Sequence, residues 1–243
     1  MKVFAVGTGC TWFARNNTSF IIDDRILFDT PSGSYKDIIK TIDISKLDGI
    51  IISHFHADHF GDFPVFATTF MRESEAMGRT KNLKVYGPTS VLDKLIELNT
   101  TLFAAEDEKN REMLQKYIDF IDVDDGDNFE LSGYKVSVVR VDHGGLMCLG
   151  YMFTDENGKT VGFSADTKEC DALHEILKLS SVAFVDMAAS RPVKAHLHRA
   201  RFMQLQAMYP NCEMIPVHMS DETLVFAKEN GLRVINDFDE III

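Results

Sequence analysis

Six consecutive residues, His54-Phe55-His56-Ala57-Asp58-His59, place three imidazoles and a carboxylate in one short stretch. Neutral imidazole and carboxylate oxygen are the donors that borderline divalent metals accept. On a helix only some of these four side chains would share a face, whereas a loop lets all four converge. The stretch follows the apolar run Gly49-Ile50-Ile51-Ile52, which reads as a buried strand over 47–53. A metal-ligand loop at the end of a buried strand is the strongest chemical signal in the chain. A solvated polar loop is the alternative, and it does not account for four donor residues at this density.

The elements that must position this loop follow from apolar periodicity and turn residues. Strands are expected at 2–6, at 19–23 and 25–29 (a hairpin turning on Asp23-Asp24), and at 118–123, 135–142, 148–154 and 160–164. Helices are expected at 60–77, 89–103 and 106–117. A βαβα pattern then runs through helix 169–179, strand 182–187, helix 199–209 and strand 213–217, before helix 222–230 and a last strand. The pattern implies an α/β (α+β) protein with two packed sheets and helices outside. No Pro/Ser linker, low-complexity tract or internal repeat divides it, so one domain over 1–243 is expected.

Composition excludes several functions. Lys and Arg total 25 against 37 Asp and Glu, a net charge of −12, which is wrong for a protein that grips a long polyanion through its overall field. No apolar run approaches the ~20 residues of a spanning helix, and the first residues lack a signal-peptide pattern. Cys10, Cys148, Cys170 and Cys212 are scattered without a C-x-x-C, so neither a disulfide framework nor a cysteine zinc site is expected. A cytoplasmic location is the simplest expectation, with no membrane partner.

The pattern His54-x-His56-x-Asp58-His59 resembles the signature of the metallo-β-lactamase superfamily. Further matches follow in family order, each after an expected strand: His143 before Gly144-Gly145, Asp166 in Ser164-Ala165-Asp166, and His218 in Pro216-Val217-His218. Gly7-Thr8-Gly9 resembles the family's first glycine turn. The resemblance implies a four-layer αββα sandwich holding two divalent metal ions, zinc first, with manganese or iron also suited to His/Asp donors. It implies that His54, His56 and His143 hold one ion, that Asp58, His59 and His218 hold the other, and that Asp166 bridges them. Water between two dications is acidic enough to act as a nucleophile near neutral pH, and Asp58 would help orient it.

Aspartate at 166 separates the chain from the β-lactamases of this fold, and His56 separates it from the flavodiiron branch. Thioesterases like glyoxalase II and phosphodiesterases like ribonuclease Z remain. Ribonuclease Z-like enzymes follow a strand-end acid with a loop histidine, and the pair protonates the leaving oxygen. Asp186 and His198 resemble that pair, with His196 a competitor for the acid. The usual Ser-Thr is replaced by Arg199-Ala200. Independently of family, the run from Met187 to Cys212 contains no Asp or Glu but carries Arg191, Lys194, Arg199 and Arg201. With His196, the cations Arg191, Lys194 and Arg199 are expected to bind an anionic substrate. The expected function is hydrolysis of a small phosphodiester, such as a cyclic nucleotide or cyclic sugar phosphate. The rivals are glyoxalase II-like thioester hydrolysis and a non-catalytic metal-binding sensor.

Other features carry less. Ribonuclease Z holds its tRNA arm between the third metal histidine and the bridging aspartate; the short stretch between His143 and Asp166 has no room for it. The charged segment 98–117 reads as a lid or a homodimer element. Asp122-Val123-Asp124-Asp125-Gly126-Asp127 imitates a calcium loop, but its glycine and closing acid fall at the wrong positions. Met203 and Met208 read as helix packing and His174 as structural. Trp12 and Phe13, after the glycine turn, either wall the site or simply pack.

Overall fold

The computed structural model describes residues 1–103 and 107–243. The first half of the chain gives β1 (Lys2–Gly7), β2 (Ser19–Ile22), β3 (Ile26–Phe28), α1 (Tyr35–Thr41), β4 (Gly49–Ile51), the short α2 (Ala57–Phe60), α3 (Phe63–Met77), β5 (Leu83–Gly87), α4 (Val91–Phe103), α5 (Asp107–Gln115) and β6 (Ile118–Asp122). The second gives β7 (Asn128–Leu131), β8 (Tyr134–His143), β9 (Leu146–Thr154), β10 (Thr160–Phe163), α6 (Asp171–Leu179), β11 (Val182–Asp186), α7 (Arg199–Met208), β12 (Glu213–Val217), α8 (Asp221–Glu229) and β13 (Glu240–Ile242). Among the described residues the strands form two sheets, ordered β13-β1-β2-β3-β4-β5-β6 and β12-β11-β10-β9-β8-β7.

Three apolar layers hold these sheets as the expected αββα sandwich. Phe20, Phe28, Tyr151, Phe153, Phe163 and Phe184 are buried between the sheets. The Phe163 ring stacks on Phe28 at 4.9 Å and on Phe184 at 4.8 Å. Outside the first sheet, Phe63, Phe66, Ala67 and Phe70 of α3 pack on Leu27, Ile50 and Val85. Their i, i+3, i+4, i+7 spacing makes one apolar stripe, with Pro64 in the first turn and Gly78 ending the helix at φ 63°. Outside the second sheet, α6 and α7 bury Leu173, Ile176, Phe202 and Leu205.

Several elements differ from the sequence expectation. The strand expected over 47–53 keeps only β4, because the chain leaves the ladder to form the His54–His59 loop. The helix expected from residue 60 is divided by Gly61-Asp62 into α2 and α3. A Cβ on Gly61 would come within 2.0 Å of Ser32 Oγ, so the chain turns where only glycine fits. Strand β7 was not anticipated; it is a mostly exposed edge segment with a single fully buried residue, Leu131. The segment 98–117, expected to be a lid or a homodimer element, forms the end of α4 and then α5, and among its described residues Leu114 is buried in the apolar layer outside the first sheet. Glu106, the expected start of that second helix, lies outside the described residues.

Two bonds join the sheets beside the imidazole loop: Leu149 N–H donates to Ser53 O at 3.0 Å, and Tyr151 Oη–H to Ile52 O at 3.0 Å. The aromatic stack lies directly behind them. Phe163→Ala is expected to lower unfolding free energy by ~3–5 kcal/mol, the usual result of emptying a buried aromatic site. Equilibrium denaturation would measure it, and a loss under 1 kcal/mol would mean that the two sheets do not depend on this stack.

Candidate metal centre

Every candidate ligand lies at the carboxyl end of a strand. The loop after β4 carries His54, His56, Asp58 and His59; β8 ends at His143; Asp166, Asp186 and His218 end or follow β10, β11 and β12. Strand ends are where an α/β sandwich leaves a crevice. Among the turns beside these ligands, three leave their strands through non-glycine residues with positive φ: Asp29 at 59°, Ala165 at 50° and His218 at 55°. Such conformations persist only where the surroundings fix them, and they cluster at functional sites.

Among the described residues the donor atoms gather into three groups. His54, His56, His143 and Asp166 offer atoms within 4.8 Å of one another, as do Asp58, His59 and His218, and a third group of Asp166, Asp186, His196 and His218 overlaps both. Asp166 lies between the first two. Its Oδ1 is 3.3 Å from His59 Nε2, and its Oδ2 is 3.5 Å from His218 Nε2 and 3.8 Å from both His54 and His143 Nε2. Within the groups, His56 Nδ1 lies 3.3 Å from His143 Nε2, and His218 Nε2 lies 3.4 Å from Asp58 Oδ2. All but His56 and Asp58 are buried.

Three of the opposite ring nitrogens are held by protein acceptors, whereas His218 Nδ1 is buried without a hydrogen-bond partner. His59 Nδ1 meets Asp29 Oδ2 at 2.7 Å, His143 Nδ1 meets Ala195 O at 2.9 Å, and His54 Nδ1 meets Ser53 Oγ at 3.0 Å. Ser53 Oγ in turn donates to Asp29 Oδ2 at 2.7 Å. This arrangement puts the proton on Nδ1 and turns a bare Nε2 lone pair inward, as metal-ligating histidines require. His54 Nε2 is buried without a hydrogen-bond partner, an uncompensated loss that a cation would repair. The donor set therefore fits divalent metal. Burial and the neighbouring imidazoles also push His54 well down, keeping it neutral. Burial alone would raise Asp166, but His218 and His59 hold it well below the carboxylate range. Burial likewise opposes the ionisation of Asp58, which its bonds from His218 and Thr11 and the charge of His59 keep ionised.

The acid pair differs from the sequence expectation. Asp186 Oδ2 meets His196 Nδ1 at 2.8 Å. His198, expected to be its partner, instead takes the N-cap position of α7, where its carbonyl accepts from Arg201 and Phe202. Burial opposes protonation of His196, but the charge and hydrogen bond of Asp186, with Asp166 behind, push it up to about 9. His196 lines a cavity of about 580 Å³ with His56, Asp58, Asp166, His218, Cys10 and Trp12.

The expected basic substrate patch is also corrected. Arg199 pairs with Glu222 at 3.2 Å and lies over the Phe226 ring, tying α7 to α8. Arg201 pairs with Glu169 through its Nε at 2.6 Å. Arg191 and Lys194 are exposed, and none of these four lines the cavity. The run is acid-free only along the chain; acids from α8 and the segment before α6 fold onto it. Asp29, Ser53, Cys10 and Thr11 were not anticipated. An aspartate directly after the buried strand Ile26–Phe28 was the one available signal.

A family model described as the β-lactamase superfamily domain matches residues 24–219. Ribonuclease Z from Methanosarcina acetivorans is 25% identical over 287 aligned positions, covering 96% of this chain and 85% of that protein. The alignment is longer than the 243 residues of this chain, so that relative carries segments this one lacks. Matches to other ribonuclease Z proteins span less than half of their length. Among solved structures, a diphosphatase from the PhnP family superposes with TM-score 0.77 at 17% identity, covering 100% of this chain and 97% of that one. The short form of human tRNase Z superposes with TM-score 0.75 at 15% identity, covering 100% and 99%.

Asp29 holds two adjacent imidazoles, His59 directly and His54 through Ser53. Asp29→Ala is expected to weaken divalent-metal affinity by about 10- to 100-fold, the usual effect of losing such a support. Competition with a chromophoric chelator would measure it, and unchanged affinity would show that packing alone orients the rings.

Proposed function

The chain belongs to the β-lactamase superfamily and is a metal-dependent hydrolase resembling ribonuclease Z; from that premise we propose that it cleaves a small phosphodiester. The observation that carries this reading is the His196–Asp186 pair beside the imidazole cluster. We assign His54, His56 and His143 to one divalent ion, Asp58, His59 and His218 to a second, and Asp166 to both. Zinc is preferred, and manganese or iron suits the same donors. Bound there, two such ions would supply Lewis acidity and a water acidic enough to react near neutral pH.

The chain's own residues divide the remaining work. Asp58 and Asp166 face the cavity and orient the attacking water through their free lone pairs. His196 has Nδ1 committed to Asp186, so Nε2 is the proton donor left to the cavity. Asp186 stabilises the imidazolium and holds its ring. A sugar alkoxide is a poor leaving group and needs that proton, whereas a thiol ionises near ~8.5 and leaves as thiolate unaided. The pair therefore favours a phosphodiester over a thioester. A cavity of about 580 Å³ suits a small molecule. Strands β9 and β10 occupy most of the chain between His143 and Asp166, so no arm for a long RNA arises there.

Metal-supplemented protein would be assayed on a 2′,3′-cyclic nucleotide, on bis-p-nitrophenyl phosphate and on a thioester. Thioester turnover without phosphodiester turnover would sink the reading. His196→Ala is expected to lower kcat on the cyclic nucleotide by about 100- to 10,000-fold. The loss should be much smaller on bis-p-nitrophenyl phosphate, whose phenolate leaves without an acid. His198→Ala should stay within a few-fold of wild type.

The pH profile gives a separate check. Protonated His196 is the active form, so the rate falls as pH rises through its pKa. Asp186→Asn removes the charge that raises it, so the alkaline limb of kcat/KM should move to lower pH. An unmoved limb would take the acid role away from this pair.

A further inference from the structure

Trp12 is the chain's single tryptophan, and it is 92% exposed. Its backbone is held at φ 83°, in the left-handed region that a bulky residue enters only when its surroundings force it. Leaving an indole in water forgoes the burial that such a side chain normally contributes. Neither feature is repaid by packing, since no ring contact or cation–π contact forms at Trp12 among the described residues.

The loop that carries Trp12 is closed at its base. Gly9 N–H donates to Asn16 O at 2.9 Å. The Asp237 carboxylate accepts from Thr8 N at 3.0 Å and from Asn16 N at 2.8 Å, clasping both ends. Next to Trp12, the Thr11 hydroxyl donates to Asp58. The backbone beside the indole is therefore anchored, through Thr11, to the same carboxylate that faces the imidazole cluster. It lines the 580 Å³ cavity with His56, Asp58, His196 and His218. It also lines an adjoining cavity of about 240 Å³, together with Phe13 and the amides Asn16 and Asn17.

Resting on the phosphodiesterase reading, we propose that Trp12 is a stacking platform for a flat aromatic or heteroaromatic ring on the substrate. The substrate class is then an aryl or nucleoside phosphodiester, its phosphate at the imidazole cluster and its ring on the indole. A ring suits the place better than an alkyl chain. The indole offers one flat apolar face, and Asn17 and Ser32 beside it can meet the polar edge of a heterocycle. An alkyl tail would need an enclosed apolar groove instead.

Because Trp12 is the only indole, its emission reads the platform without turnover. Zinc-supplemented protein would be titrated with adenosine 5′-monophosphate and, separately, with ribose 5-phosphate. Quenching that saturates with the nucleotide and is absent with the sugar phosphate is expected. Equal responses to both, or none to the nucleotide, would overturn the proposal. In steady state, Trp12→Ala should raise KM for bis-p-nitrophenyl phosphate by roughly ten-fold or more, in line with base–aromatic stacking, and Trp12→Phe should recover most of it. An unchanged KM in Trp12→Ala would also overturn it. Failure to hydrolyse any phosphodiester would instead remove the underlying reading, and the emission titration separates the two failures.

Discussion

The Asp166 carboxylate lies buried in the middle of a group of imidazoles, and the fold is arranged around that fact. A carboxylate out of water must be neutralised or surrounded by partners. Asp166 meets His59, His218, His54 and His143 within 3.3 to 3.8 Å, and these histidines come from the ends of β4, β8 and β12. The imidazoles cannot all be cations, because burial and mutual repulsion oppose it, and His54 is pushed well down for that reason. Burial opposes protonation of His59 too, but Asp166 and Asp29 push it well up. Ionised Asp166 and Asp58 thus draw positive charge into the cluster, a demand that divalent cations would meet.

Holding such a group requires stiff supports, and the sandwich supplies them. The aromatic layer of Phe28, Phe163 and Phe184 sits behind the strand ends, and the bonds from Leu149 and Tyr151 tie the two sheets where the imidazole loop begins. Asp29, Ala165 and His218 then leave their strands in the left-handed conformation. Each such turn costs about 1–3 kcal/mol, and the neighbouring bonds hold it: Asp29 is locked by Ser53 and His59, and His218 N–H by Thr18. The order of dependence runs from core to strand end to turn to ligand.

This order explains what the sequence disclosed. His54 to His59 were legible because they are contiguous and follow a continuous apolar run. His143, Asp166 and His218 became legible only through their order in a resembling family, since each alone is an ordinary polar residue after a strand. The layers were readable from periodicity, but α1, the interior strand β5 and the edge strand β7 were not, since each is short and Asn128-Phe129-Glu130-Leu131 alternates too briefly to stand out from a turn. The partner of Asp186 was misplaced by two residues. In His196-Leu197-His198 nothing local says which residue begins the helix, and the helix start at Arg199 gives the N-cap to His198 and the carboxylate to His196. Asp29 was missed because its value lies in contacts twenty or more positions away.

The corrected basic run changes how an anion would be recognised. Arg199 and Arg201 are neutralised by Glu222 and Glu169, and the residues lining the cavity include Asp58 and Asp166 but no Lys or Arg. In a chain of net charge −12, that cavity repels an anion unless cations occupy the imidazole groups. Protonated His196 offsets one negative charge, and Asp186 already claims it. If the substrate is a phosphodiester, as proposed, anion recognition and metal occupancy would be one property of this site, because the same ions would attract the phosphate and act on it. On that reading selectivity would have to come from what surrounds the phosphate, and Thr11, Trp12 and Asn17 are the residues of the cavity wall placed to supply it.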